Sequence, residues 1–159
     1  HDSYIKDKFI EDLNDSDIKE LNILTLQEFF NEINLTNIKV ILDLKSHGNL
    51  AKELINFFNK NRICKKNIIV STFNINFLKE LKDSGFELGF TTCNNYINYN
   101  FIDEIKYILI DFNIVSKDFV DELKKKNKIV YCFTCHDKYQ LNILKKYDID
   151  GIISNIKIE

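Results

Sequence analysis

Apolar residues in this chain fall into short continuous runs, separated by polar segments whose apolar positions recur at helical spacing. The run Val40-Ile41-Leu42-Asp43-Leu44-Lys45 is the most informative. It reads as a β-strand. Side chains alternate across a strand, so Ile41, Asp43 and Lys45 share one face and Val40, Leu42 and Leu44 the other. An acid and a base on an apolar run are costly to bury without partners. Two readings stand: a rim where charge meets a ligand or metal, or a structural ion pair. Similar apolar runs follow at 67–73, 86–92, 107–111, 128–134 and 150–154.

Helical patterns lie between these runs. Thr25-Leu26-Gln27-Glu28 is a capping box, with Leu26, Phe29, Phe30 and Ile33 as the apolar face. Asn49 is placed to cap a helix through Phe58, with Leu50, Leu54, Phe57 and Phe58 inward. Asn74 starts a helix burying Phe77, Leu78 and Leu81, and Ser116 caps one burying Phe119, Val120 and Leu123. In that last helix Asp118, Asp121 and Glu122 come early and Lys124-Lys125-Lys126 late, an order that complements the helix dipole. The lysine run therefore reads as a solvated helix end. His136-Asp137 opens a helix with Tyr139, Leu141, Ile143 and Leu144. The segment before Thr25 and the stretch 93–103 show no clear period and read as loop.

Strands recurring roughly every 20–27 residues with helices between them predict an α/β fold on a parallel sheet. A doubly wound sheet and a (β/α) barrel both fit. The strand ends carry Asp43, Lys45, Ser71, Phe73, Thr91, Thr92, Asp111, Phe133, Thr134, Ser154 and Asn155. In a barrel these converge on the rim where active sites of that fold lie. No Gly-rich phosphate loop follows any strand, which counts against the nucleotide-binding alternative.

Composition narrows the class. The 159 residues form one domain, 1–159, with 45% hydrophobic and 29% charged content. A net charge of −2 gives no case for nucleic acid or an anionic membrane, and no apolar run reaches membrane-spanning length. The four cysteines are spread unlike a secreted disulfide framework, which predicts a reduced, cytoplasmic protein. Cys132-Phe133-Thr134-Cys135-His136 matches the haem-attachment spacing. On a regular strand, however, Cys132 and Cys135 point to opposite faces, so the match reads as chance. Zinc lacks a second paired spacing. His47, just past Lys45, could approach a phosphate but reads more simply as a solvated loop histidine, and Asp111 is either a polar rim group or, the favoured reading, a loop cap.

An ordered series of segments resembles the glycerophosphodiester phosphodiesterase family of (β/α)-barrel enzymes. His1-Asp2 resembles the family's His-Asp. Leu24-Thr25-Leu26-Gln27-Glu28 resembles its Pro-Thr-Leu-Glu-Glu, and Ile41-Leu42-Asp43-Leu44-Lys45 its acid-x-Lys strand. Val70-Ser71-Thr72-Phe73-Asn74 resembles its Ser-Phe-Asp/Asn segment. Val130-Tyr131-Cys132-Phe133-Thr134 is similar to Val-Tyr-x-Trp-Thr, and Asp150-Gly151-Ile152-Ile153-Ser154-Asn155 to Asp-Gly-Ile-Ile-Thr-Asp. The resemblance implies an incomplete TIM-type barrel of about six βα units. It implies cleavage of a small-molecule glycerophosphodiester to glycerol 3-phosphate and an alcohol, with a divalent cation, Mg²⁺ or Ca²⁺. His1 would be a catalytic acid or base, Asp43 a metal ligand where the family has Glu, Lys45 a phosphate contact, and Phe133 the pocket residue where the family has Trp. The family's His-Arg and Glu-x-Asp strands have no counterpart here. Either the sequence is truncated at its N-terminus, which is the expectation, or it is a relative serving as a binding or structural module. Two missing strands would leave open sheet edges.

Overall fold

The computed structural model describes residues 4–5, 8–45, 48–97 and 102–157. Its main body is a parallel sheet of six strands among the described residues: β3 (Val40–Leu44), β4 (Ile68–Thr72), β5 (Glu87–Thr92), β6 (Tyr107–Asp111), β7 (Ile129–Cys135) and β8 (Gly151–Ser154). They lie side by side in chain order, every neighbouring pair parallel. A doubly wound sheet reverses its strand order partway. This one never reverses, so right-handed crossovers leave all the helices on one face.

Packing agrees. Leu54 and Phe58 of α3 (Leu50–Asn61), Leu78 and Leu81 of α4 (Ile75–Leu81), Val120 and Leu123 of α5 (Lys117–Lys125), and Leu144 of α6 (Lys138–Leu144) share one core with Val40, Val70, Ile108 and Val130. The opposite face has its own small cluster, in which Ile69, Tyr107 and Leu109 are buried beside Ile41, Tyr131, Phe133 and Ile153. Val40, Leu42 and Leu44 face the helices and Ile41 the inner cluster, as alternation requires. The sheet is thus an arc of a TIM-type barrel, with β3 and β8 as its two edges among the described residues.

Side chains bridge the inner face low down, near the strand N-termini. Lys39 Nζ reaches Tyr107 Oη at 2.7 Å and Glu87 Oε2 at 3.1 Å, Tyr107 Oη donates to Glu87 at 2.8 Å, and Lys106 joins the same carboxylate. Burial opposes ionisation of Glu87, but the donors Lys106, Tyr107 and Lys39 outweigh it and hold the carboxyl at about 2. Gly89 sits above this cluster, where any larger residue would force the Leu109 side chain to shift. A Cβ there would lie 2.9 Å from Leu109 Cδ1 and 3.3 Å from Ser71 Cβ.

Capping chemistry sets the helix starts. Asn74, Ser116 and Asp137 accept backbone N–H bonds from Asn76, Phe119 and Gln140, and Thr25 with Glu28 forms the predicted box on α2 (Leu26–Glu32). Asn49 occupies the N-cap of α3 without a side-chain bond. The lysine run divides: Lys125 and Lys126 are exposed, whereas Lys124 pairs with Asp150 at 2.7 Å.

Two expectations need correction. The segment before Thr25 is not mostly loop. It holds the short antiparallel pair β1 (Tyr4–Ile5) and β2 (Lys8–Phe9), and α1 (Asp15–Glu20) with an Asn14–Asp17 capping box. Cys132 and Cys135 do not face opposite ways. The β7–β8 register shifts between them, and both thiols lie in the helix-facing core. Burial pushes Cys132 up to about 12.

Candidate active site at the strand C-termini

Each strand delivers its last inward-facing residues to one mouth. From β3 come Asp43 and, just beyond the strand, Lys45. Asp43 Oδ2 lies 3.2 Å from Lys45 Nζ, and both side chains are about one-third exposed, at 35% each. Ser71, the register partner of Asp43 on β4, donates from Oγ to Asp43 Oδ1 at 3.4 Å. The two sequence readings of Asp43 and Lys45 therefore meet: they form an ion pair, and it sits at the solvent rim. Exposed pairs of this kind contribute little to stability, roughly 0–1 kcal/mol, so the strand gains little fold energy from carrying them.

The β4–α4 turn is fixed by Thr72. Its Oγ1 donates to Leu44 O at 2.9 Å and accepts from Asn74 N at 3.0 Å. This turn presents Phe73, which is 46% exposed. Phe73 meets Phe133 of β7 edge to face, with ring centroids 6.2 Å apart. On β5, Thr91 is buried on the inner face, and its Oγ1 has no hydrogen-bond partner among the described residues. Cys93 Sγ approaches Asp111 Oδ2 at 3.8 Å, and burial and that carboxylate raise the thiol's pKa. Asp111 Oδ1 also accepts from Asn113 N and Nδ2 at 2.7 and 2.8 Å, which makes it the loop cap the sequence indicated. Beyond β7 and β8, His136 Nδ1 and Asn155 Nδ2 are 3.1 Å apart.

The mouth thus combines a cation and a carboxylate on one side with an aromatic pair on the other. Such a surface suits a ligand that is anionic at one point and carbon-rich beside it. Of the predicted site residues, Asp43, Lys45 and Phe133 all lie at this mouth, while His1 and the loop residue His47 lie outside the described residues. Sequence reasoning did not pair Phe73 with Phe133 or find the Lys39–Glu87–Tyr107 floor. Both depend on how strongly the sheet curls, which no local pattern encodes.

A hard divalent cation takes six or more oxygen ligands. The described residues contain no group of three or more His, Cys, Asp or Glu side chains placed to hold a metal. Asp43 offers one carboxylate, already bonded by Lys45 and Ser71. These residues do not fit a cation site by themselves.

No curated protein matches the chain. Solved structures do. A glycerophosphodiester phosphodiesterase from Thermotoga maritima is similar at 22% identity and TM-score 0.75, over 97% of this chain and 73% of that one. One from Parabacteroides distasonis matches at 18% identity and TM-score 0.75, over 98% and 72%. A phosphodiesterase from Oleispira antarctica, in complex with the product sn-glycerol-3-phosphate, matches at 18% identity and TM-score 0.64, over 73% of this chain and 51% of that one. At these identities the likeness establishes the fold. The model of the Glycerophosphoryl diester phosphodiesterase family matches residues 3–156, nearly the whole sequence. The chain belongs to the glycerophosphoryl diester phosphodiesterase family.

Proposed function

We propose that this protein is a glycerophosphodiester phosphodiesterase-type hydrolase, whose mouth binds the phosphodiester and yields glycerol 3-phosphate and an alcohol. The observation that carries the reading is the Asp43–Lys45 pair, held at 3.2 Å on the same rim as Phe133 in a chain of this family. Lys45 neutralises charge on the phosphoryl oxygens, which builds up further as water adds to phosphorus. It leaves its contact with Asp43 in part to do so. The Phe73–Phe133 pair packs against the carbon portion of the substrate. His1 takes a proton from the attacking water or gives one to the leaving alkoxide, near neutral pH. Asp43 would be one ligand of a divalent cation, Mg²⁺ or Ca²⁺, and does not complete such a site alone. The cation would supply further charge neutralisation. The compartment is cytoplasmic, on the spread of the four thiols.

The test is release of glycerol 3-phosphate from glycerophosphocholine, followed by a coupled assay with Mg²⁺ or Ca²⁺ added. Turnover that falls to background in Lys45→Ala supports the reading, and equal turnover in wild type and Lys45→Ala overturns it. One observation favours a second reading, a family member that binds without hydrolysing: the lack of a three-ligand metal group among the described residues. Binding of glycerol 3-phosphate without turnover would select it.

A further inference from the structure

We infer that Thr91 is a substrate-binding residue, whose hydroxyl receives a hydroxyl group of the polyol end of the ligand. The inference rests on the function proposed above and deepens it. Thr91 is 4% exposed, yet its Oγ1 makes no hydrogen bond among the described residues. Buried hydroxyls are normally paired, and an unpaired one carries a desolvation cost. Other hydroxyls near the strand C-termini show the contrast. Ser71 bonds Asp43, Thr72 bonds Leu44 O, Thr92 bonds Asn94 O, and Ser154 bonds Cys135 O.

Its direction follows from strand parity. A Cβ on Gly89 would meet the side chains of Leu109, Ser71 and Ile69, so Gly89 faces the inner cluster. Thr91, two residues on, faces the same way. In register it lies beside Leu109, one level above the Ser71–Gly89 pair. It is therefore on the concave wall under the mouth, two strands from Asp43 and Lys45.

That offset chooses which part of the ligand it meets. Two strand spacings are roughly 10 Å on a flat sheet and less across a curled one. With the phosphoryl group at Lys45, a three-carbon polyol spans toward Thr91. A hydroxyl both donates and accepts, so it suits an alcohol oxygen, whereas Lys45 suits the anion.

The experiment is titration calorimetry of the full chain with two probes, sn-glycerol 3-phosphate and inorganic phosphate, on wild type, Thr91→Val, Thr91→Ser and Lys45→Ala, with melting curves of each apo protein. Thr91→Val is expected to melt no lower than wild type, because it removes an unpaired buried hydroxyl. It should bind glycerol 3-phosphate roughly 3- to 10-fold more weakly, the scale of one neutral hydrogen bond, and inorganic phosphate unchanged. Thr91→Ser should restore glycerol 3-phosphate affinity. Equal glycerol 3-phosphate affinity in Thr91→Val and wild type overturns the inference, and so does a parallel loss for both probes. A Thr91→Val variant that melts well below wild type shows that the hydroxyl is paired, by ordered water, and also overturns it. Failure of the functional reading looks different. Lys45→Ala would then bind both probes like wild type, or wild type would bind neither.

Discussion

Phe73 and Phe133 touch edge to face at 6.2 Å, although they leave strands three positions apart in the sheet. On a flat sheet that separation is about 14 Å. The contact therefore measures the curl at the mouth and defines its aromatic wall. The chain contains no tryptophan, so Phe133→Trp installs a single fluorescent reporter at that wall. Its emission is expected to shift or quench on adding sn-glycerol 3-phosphate, with a midpoint matching calorimetry. A spectrum that stays constant through saturation would remove Phe133 from the site.

Asp43 and Lys45 should separate function from stability. The pair is one-third exposed, so Asp43→Ala or Lys45→Ala should change unfolding free energy by less than about 1 kcal/mol. Activity should fall at least 100-fold in either variant, the scale of losing a charged contact to a transition-state phosphate. Denaturant unfolding and the coupled assay on the same samples check this. Loss of several kcal/mol in stability would make the pair structural instead.

Glu87 gives the fold a pH signature. Its carboxyl ionises at about 2 in the folded protein, against an ordinary 4.5. The depressed value means that the cluster's contribution is complete above about pH 4.5 and is lost as pH falls toward 2. Glu87→Gln is expected to melt below wild type at pH 7, with the two curves converging near pH 2–3. A gap independent of pH between 7 and 3 would show that the charge is not what Lys39, Lys106 and Tyr107 hold.

Lys128 is 6% exposed, and its ammonium donates to three backbone carbonyls: Ile102 and Asp103 at 2.7 Å and Ile105 at 2.9 Å. Burial lowers its pKa, but the three acceptors keep the charge bonded. Lys128→Met keeps the stem and strands the carbonyls, at a cost of about 2–4 kcal/mol. Urea denaturation at neutral pH reads this directly, and a midpoint equal to wild type would mean that water replaces the lysine.

Much of this was legible beforehand, for identifiable reasons. The run 107–111 is a continuous apolar stretch ended by an acid, and it became β6 with those bounds because both its faces are covered. Thr25, Asn74 and Ser116 announce helix starts through local hydrogen bonds that need no tertiary context. Asn14-Asp15-Ser16-Asp17 carries the same kind of signal, but α1 buries no residue and so shows no apolar stripe beside it. The shared face of Cys132 and Cys135 was illegible, since a register shift breaks the alternation on which parity arguments rest. Asp43 and Lys45 could be placed at a rim from the pattern alone. That Phe73 packs against Phe133 there could not, because sheet curvature is a sum over many twists.

The inner face is spanned at two heights. Near the strand N-termini Lys39 crosses to Tyr107 on β6, and at the mouth Phe73 crosses to Phe133 on β7. Each crossing spans three strand steps, as a chord spans an arc, and together they fix its radius at both ends. Curvature is then a local property of these strands and does not require hydrogen bonds closing a ring. On the proposed function, a phosphate arriving at Lys45 would meet a cradle whose width is already set, so its binding energy would go into contacts with the ligand and not into bending the sheet.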